Sequence, residues 1–188
     1  MRATEISQKC LSDALDSMHA VRNRVLLRAV EAVIHGRRLT LIDLARSWPG
    51  AERVRAPLKA LDRLLGNHHL HAEREHIYTA MTRWLVRSKQ PIIVIDWSDL
   101  KGDQSWHLLR AAIPVGGRSL TILDMVFPAG QQGSPKAQKL FLQRLARVLP
   151  DNVRPILETK GSGSFFRAGA QGPEGLLVHV PLWTWLPA

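Results

Sequence analysis

Apolar residues recur at helical spacing in the first half of the chain and at strand spacing after Pro91, and no other feature constrains the fold as much. From Ile6 to His35 the spacing predicts helix, carried by Ile6, Leu11, Leu15, Met18, Val21, Val25, Leu26, Val30, Val33 and Ile34. Gly36 stands where that helix should stop, its φ freedom suiting the position after a helix C-terminus. Thr40, with Asp43 three residues on, reads as a capping box opening a short helix that Trp48-Pro49-Gly50 ends. A further helix is predicted over about Arg55 to Leu65, with Leu58, Leu61, Leu64 and Leu65 as its buried stripe.

At Pro91 the pattern changes. Ile92-Ile93-Val94-Ile95 is a β-branched run ending in Asp96, as expected of a strand buried on both faces. After a polar turn around Asp99 to Asp103, Trp106 to Ile113 reads as a second strand. Pro114 to Arg118 supplies a hairpin turn, and Leu120 to Phe127 a third strand. Ser134 can cap and Pro135 can open a helix running through Lys136 to Leu149 on Leu140, Phe141, Leu145 and Leu149. Val153 to Leu157 reads as a fourth buried strand. Three strands, a helix and a returning strand make the opening of a ribonuclease-H-like α/β layer.

Charge divides the chain in the same place. Of 188 residues, 1–90 hold 16 basic and 9 acidic side chains, a net of +7, while 91–188 hold 10 and 7, a net of +3. A sequence pI near 10.8 favours a polyanionic partner. One cysteine, Cys10, rules out an internal disulfide and a cysteine-built zinc site. No apolar run approaches the roughly 20 residues of a membrane span, and Met1 to Cys10 lacks the apolar stretch of a secretory signal. The expectation is a cytoplasmic, nucleoid-associated protein with no membrane partner.

Two places invite chemistry. Arg55, Lys59 and Arg63 fall at i, i+4 and i+8, with Arg53 extending the line, so one helix face is cationic. A short helix, a turn and a cationic helix have the plan of a helix-turn-helix DNA reader, and a solvated surface is the plain alternative. Asp96 closes an apolar strand, where a carboxylate is costly unless exposed or paired. It reads either as a ligand for Mg²⁺ or as a strand-end residue facing water. His68, His69 and His71, with His76 beyond, lack the second ligand pair of a zinc site and read as a polar turn after Gly66-Asn67.

Taken in order, several segments resemble the DDE transposases of bacterial insertion sequences, specifically the insertion-sequence-four (IS-four) family. They are Leu39-Thr40-Leu41-Ile42-Asp43-Leu44-Ala45-Arg46, Leu58-Lys59-Ala60-Leu61-Asp62-Arg63-Leu64-Leu65-Gly66-Asn67 and Leu70-His71-Ala72-Glu73-Arg74 in the first half. In the second half they are Val94-Ile95-Asp96-Trp97-Ser98, Leu108-Leu109-Arg110-Ala111-Ala112 and Gly117-Arg118-Ser119-Leu120. The resemblance covers roughly Leu11 to Leu157.

It implies a helical, DNA-binding region over 1–90, followed over 91–157 by the first part of a ribonuclease-H-like DDE core, an α plus α/β arrangement. It also implies two Mg²⁺ ions held by two Asp and a Glu, cutting and joining double-stranded DNA at insertion-sequence ends. Asp96 matches the first acid and would be catalytic and metal-binding. Arg53, Arg55, Lys59 and Arg63 would contact DNA. A homo-oligomer, or a mixed oligomer with intact transposase, would follow.

The chain departs from the family after Leu157. Lys160 stands where the second Asp is expected, and a cation there repels a metal. Glu158 is two residues away, a displacement of nearly 7 Å along a strand. The third acid belongs to a signature of Tyr, Arg and Glu, but the only tyrosine is Tyr78. Residues 158–188 hold five Gly and three Pro with no Asp or Ile, an atypical tail that reads either as translated out of frame or as a genuine, divergent tail packing on the sheet edge. The expectation is a truncated, catalytically incomplete fragment that retains DNA binding, or a non-enzymatic regulator that inhibits intact transposase.

Overall fold

The structure, a computed structural model, describes residues 3–36, 38–159 and 177–179. The chain divides into two compact units, Met1–Ala80 and Met81–Ala188. The first holds α1 (Ala3–Cys10), α2 (Ser12–Asp16), α3 (Ala20–His35), α4 (Leu41–Arg46) and α5 (Arg55–Leu65). The division falls inside α6 (His68–Leu85), not at Pro91 where the periodicity changes.

The first unit's core is Ala29 and Ala32 of α3, Ala45 of α4, Trp48, and Leu61 and Leu64 of α5. Three alanines at the contacts let the helices approach, and the Trp48 indole fills the space between them. Trp48 therefore does more than end α4. Its connection to α5, residues 47–54, is longer than the roughly three- to four-residue turn of a helix-turn-helix.

Local signals mostly act as the sequence predicts, with instructive exceptions. Asp43 N–H donates to Thr40 Oγ1 at 3.2 Å, so Thr40 caps α4. The Thr40 hydroxyl then donates to Asp43 Oδ2 at 2.6 Å, where a full capping box would bring that carboxylate back to the backbone. Gly36 ends α3 in extended backbone (φ −82°, ψ 146°), not in the left-handed conformation predicted for it. Space is what requires glycine there, since a Cβ would lie 2.9 Å from the Ala32 carbonyl oxygen and 3.1 Å from Ser47 Oγ. Leu65, predicted in the buried stripe of α5, is exposed, because the stripe turns to Pro57, Leu61 and Leu64. His68, His69 and His71 lie in the first turns of α6, not in a loop. There the Asn67 side chain caps, accepting from Leu70 N–H at 3.1 Å.

The second unit is a mixed sheet covered by a helix. Its strands are β1 (Ile92–Asp99), β2 (Trp106–Val115), β3 (Arg118–Pro128), β4 (Ile156–Thr159) and the three-residue β5 (Leu177–His179), in the order β3-β2-β1-β4-β5. Pairing is antiparallel between β1 and β2 and between β2 and β3, and parallel from β1 to β4 and from β4 to β5. Gly116 and Gly117 (φ 53° and 76°) form the two-residue hairpin turn that the sequence signals, since both positions need positive φ. α7 (Pro135–Val148) begins on Ser134, whose Oγ accepts from Ala137 N–H at 3.2 Å. It packs against β3 and buries Ala137, Phe141, Leu142, Leu145 and Val148. With Ile93, Ile95, Leu109, Ala111, Leu123 and Phe127 these residues make the core. The result is an α+β chain: helices and a mixed sheet.

Several strand limits differ from expectation. β1 does not stop at Asp96 but runs on to Asp99, because His107 of β2 sits opposite and bonds the Asp99 carboxylate at 2.9 Å. Nor is β1 buried on both faces, since Ile93 and Ile95 are buried while Ile92 is 42% exposed. β4 begins at Ile156, leaving Val153 buried in the preceding loop, and it takes in Glu158 and Thr159 from the stretch read as an atypical tail. Leu140, assigned to the core face of α7, is 42% exposed. No helix among the described residues is long and apolar enough to cross a membrane.

Candidate nucleic-acid interface and the Asp96 strand

α5 is amphipathic by position. Pro57, Leu61 and Leu64 point into the core, and roughly half a turn away Arg55, Lys59 and Arg63 are all exposed. Arg53, just before the helix, is exposed too. None of the four has an ion-pair or hydrogen-bond partner among the described residues. Elsewhere in this unit Arg22 is committed to Glu73, with Nε donating to Oε2 at 2.8 Å, and Arg46 lies 3.4 Å from Asp43. Cations left free on one face can neutralise an anionic partner without first giving up a carboxylate. Exposed Asp62 flanks the row and is its one opposing charge on α5.

In the second unit Asp96 is half-buried in the middle of β1, not at its end. It shares a sheet face with Val94 and Ser98, away from the face that α7 covers. Register places Arg110 of β2 opposite Asp96 and Asp124 of β3 opposite Arg110. Arg110 Nε donates to Asp124 Oδ1 at 2.9 Å and Nη2 to Oδ2 at 3.3 Å, so both oxygens of Asp124 are engaged. The row thus alternates acid, base, acid across three strands. Sequence reading missed Arg110 and Asp124 as members of it. The hairpin signal at Gly116-Gly117 pairs Arg110 with a residue near 123, but one extra residue on β3, at the register shift beside Ala111/Ala112, brings Asp124 opposite instead.

Glu158 lies level with Val94 on β4, on the same face as Asp96 but one side-chain step back along the strand, about 6–7 Å. Lys160, read as standing in for the second acid, lies outside the described residues. Among the described residues no group of three or more His, Cys, Asp or Glu is placed to hold a metal ion. One half-buried carboxylate opposite a guanidinium that is itself tied to Asp124, with Glu158 a step back on β4, does not fit a two-ion centre. Mg²⁺ therefore enters no step here. The loop after β1 is set by Asp103, whose Oδ1 accepts from the Ser105 N–H and hydroxyl at 3.0 and 2.7 Å. These bonds hold that carboxyl below the ordinary carboxylate range.

Comparison of the chain with protein-family models, with curated proteins and with solved structures finds no match.

Proposed function

We propose that the chain is a transposase-family protein that holds double-stranded DNA through Arg53, Arg55, Lys59 and Arg63 but cannot cut it alone. The observation that carries this reading is the set of four exposed cations on or beside α5 that have no partner among the described residues. Phosphate contacts by such side chains supply sequence-independent affinity that falls with salt. The sheet order, with a β1–β3 meander and parallel β4 and β5, is compatible with a ribonuclease-H-like core and in that way supports the same family reading. Asp96 on its central strand matches the family's first acid.

The opposition of Asp96 and Arg110 favours one further reading, a non-enzymatic regulator that competes with intact transposase for insertion-sequence ends or joins it in mixed oligomers. Incubation of purified protein with supercoiled DNA and Mg²⁺ or Mn²⁺ tests the incompleteness. No nicking above background is expected from wild type or from Asp96→Asn. Robust cleavage abolished by Asp96→Asn overturns it. Gel shifts on duplex DNA test the binding itself: retardation is expected at about 50 mM salt and weakens steeply by about 200 mM.

A further inference from the structure

A groove of about 380 Å³ opens on the first unit at the start of α3, lined by His19, Val21, Arg22, Val25, Ala60, Arg63, Leu64 and Asn67. Its floor is aliphatic and its rim is polar. Arg63 belongs to the free cation row of α5 and has no partner among the described residues. Val21 N–H donates to His19 Nδ1 at 3.3 Å, so that nitrogen is the acceptor and Nε2 carries the proton, leaving a donor at the rim. Asn67 spends its Oδ1 on capping α6, which leaves the two N–H groups of Nδ2 to donate. Arg22 is neutralised by Glu73 and serves as a wall.

Resting on the DNA-binding reading, we propose that this groove takes one unpaired nucleotide of the bound DNA. The base lies between the aliphatic floor and the His19 and Arg63 planes, Asn67 donates to its edge, and Arg63 or His19 meets its phosphate. A phosphate alone would leave the apolar floor idle, and an uncharged apolar ligand would leave Arg63 and its free positive charge unused. The volume suits a single nucleotide, and imidazole and guanidinium planes are established stacking partners for unstacked bases. Residues 1–90, at net +7, supply the charge complementarity.

Fluorescence anisotropy compares a blunt duplex of about 20 base pairs with the same duplex carrying a five-thymidine 3′ overhang. The overhang is expected to tighten binding roughly tenfold, as one stacked base does. Val21→Glu places a carboxylate in the groove at a position 57% exposed and early in α3, where an acidic residue suits the helix. It is expected to abolish the overhang preference while blunt-duplex binding falls only a few fold. An overhang carrying 5-iodo-deoxyuridine is expected to cross-link to a peptide containing His19 to Val25 or Ala60 to Asn67. Equal binding of the two duplexes, or cross-links confined to other peptides, overturns the groove and leaves the DNA reading standing. Failure of either duplex to bind, even at about 50 mM salt, overturns both.

Discussion

Replacing Arg55, Lys59 and Arg63 together by alanine is expected to flatten the salt dependence of DNA binding and leave the fold intact. Each phosphate contact contributes about 0.9 to the slope of log affinity against log salt, so three lost contacts remove about 2.7. Between about 50 and 200 mM salt the wild type should therefore lose roughly 40-fold more affinity than the triple variant does. The three side chains are exposed and unpaired among the described residues, so urea stability should change by only about 0.5 kcal/mol per site. A double lysine-for-arginine control (Arg55→Lys and Arg63→Lys, with Lys59 kept) should retain the slope, because a phosphate reads an ammonium as a point charge. An unchanged slope in the alanine variant would remove α5 from the interface. The row was legible in the sequence because its four-residue spacing alone sets the helix face. That none of the four is paired among the described residues was not, since a carboxylate from any distant part of the unit could have bonded them.

Phe141→Ala should lower the stability of the second unit by about 3–5 kcal/mol, since it empties a fully buried aromatic site between α7 and the sheet. Leu140→Ala, one residue away, should cost under about 1 kcal/mol because that side chain is 42% exposed. Urea melts followed by far-ultraviolet circular dichroism separate the two, with the midpoint moving and the slope unchanged. Comparable losses at both positions would mean that α7 is rotated on the sheet relative to the arrangement described. Leu140 and Phe141 look alike in the sequence, being neighbours in an apolar stretch of a helix. Packing decides between them: with Phe141, Leu142, Leu145 and Val148 turned to the sheet, Leu140 is left on the rim.

The Asp96 strand shows the same limit at the candidate site. An apolar β-branched run followed by an acid was enough to place Asp96 on a central strand. Its position within the strand was not readable, because β1 continues only where β2 offers partners, as far as Asp99 opposite His107. Its neighbours were still less readable. A single extra residue on β3 sets which side chain faces Arg110, and a slip of one place exchanges the two faces of a strand.

What could be read along the chain is what neighbouring residues settle among themselves. The Ser134 and Thr40 caps, the Gly116-Gly117 turn, the helical period before Pro91, the strand period after it and the cationic spacing on α5 all arise within a turn or two of backbone. The tertiary structure decided the rest: the glycine at Gly36, required by Ser47 and Ala32 rather than by φ; the exposure of Leu65 and Leu140; the Asp96–Arg110–Asp124 row; and the groove beside Arg63. Each of these depends on residues brought together from separate elements, by strand register or by helix packing, and no local pattern encodes which residue will arrive opposite which.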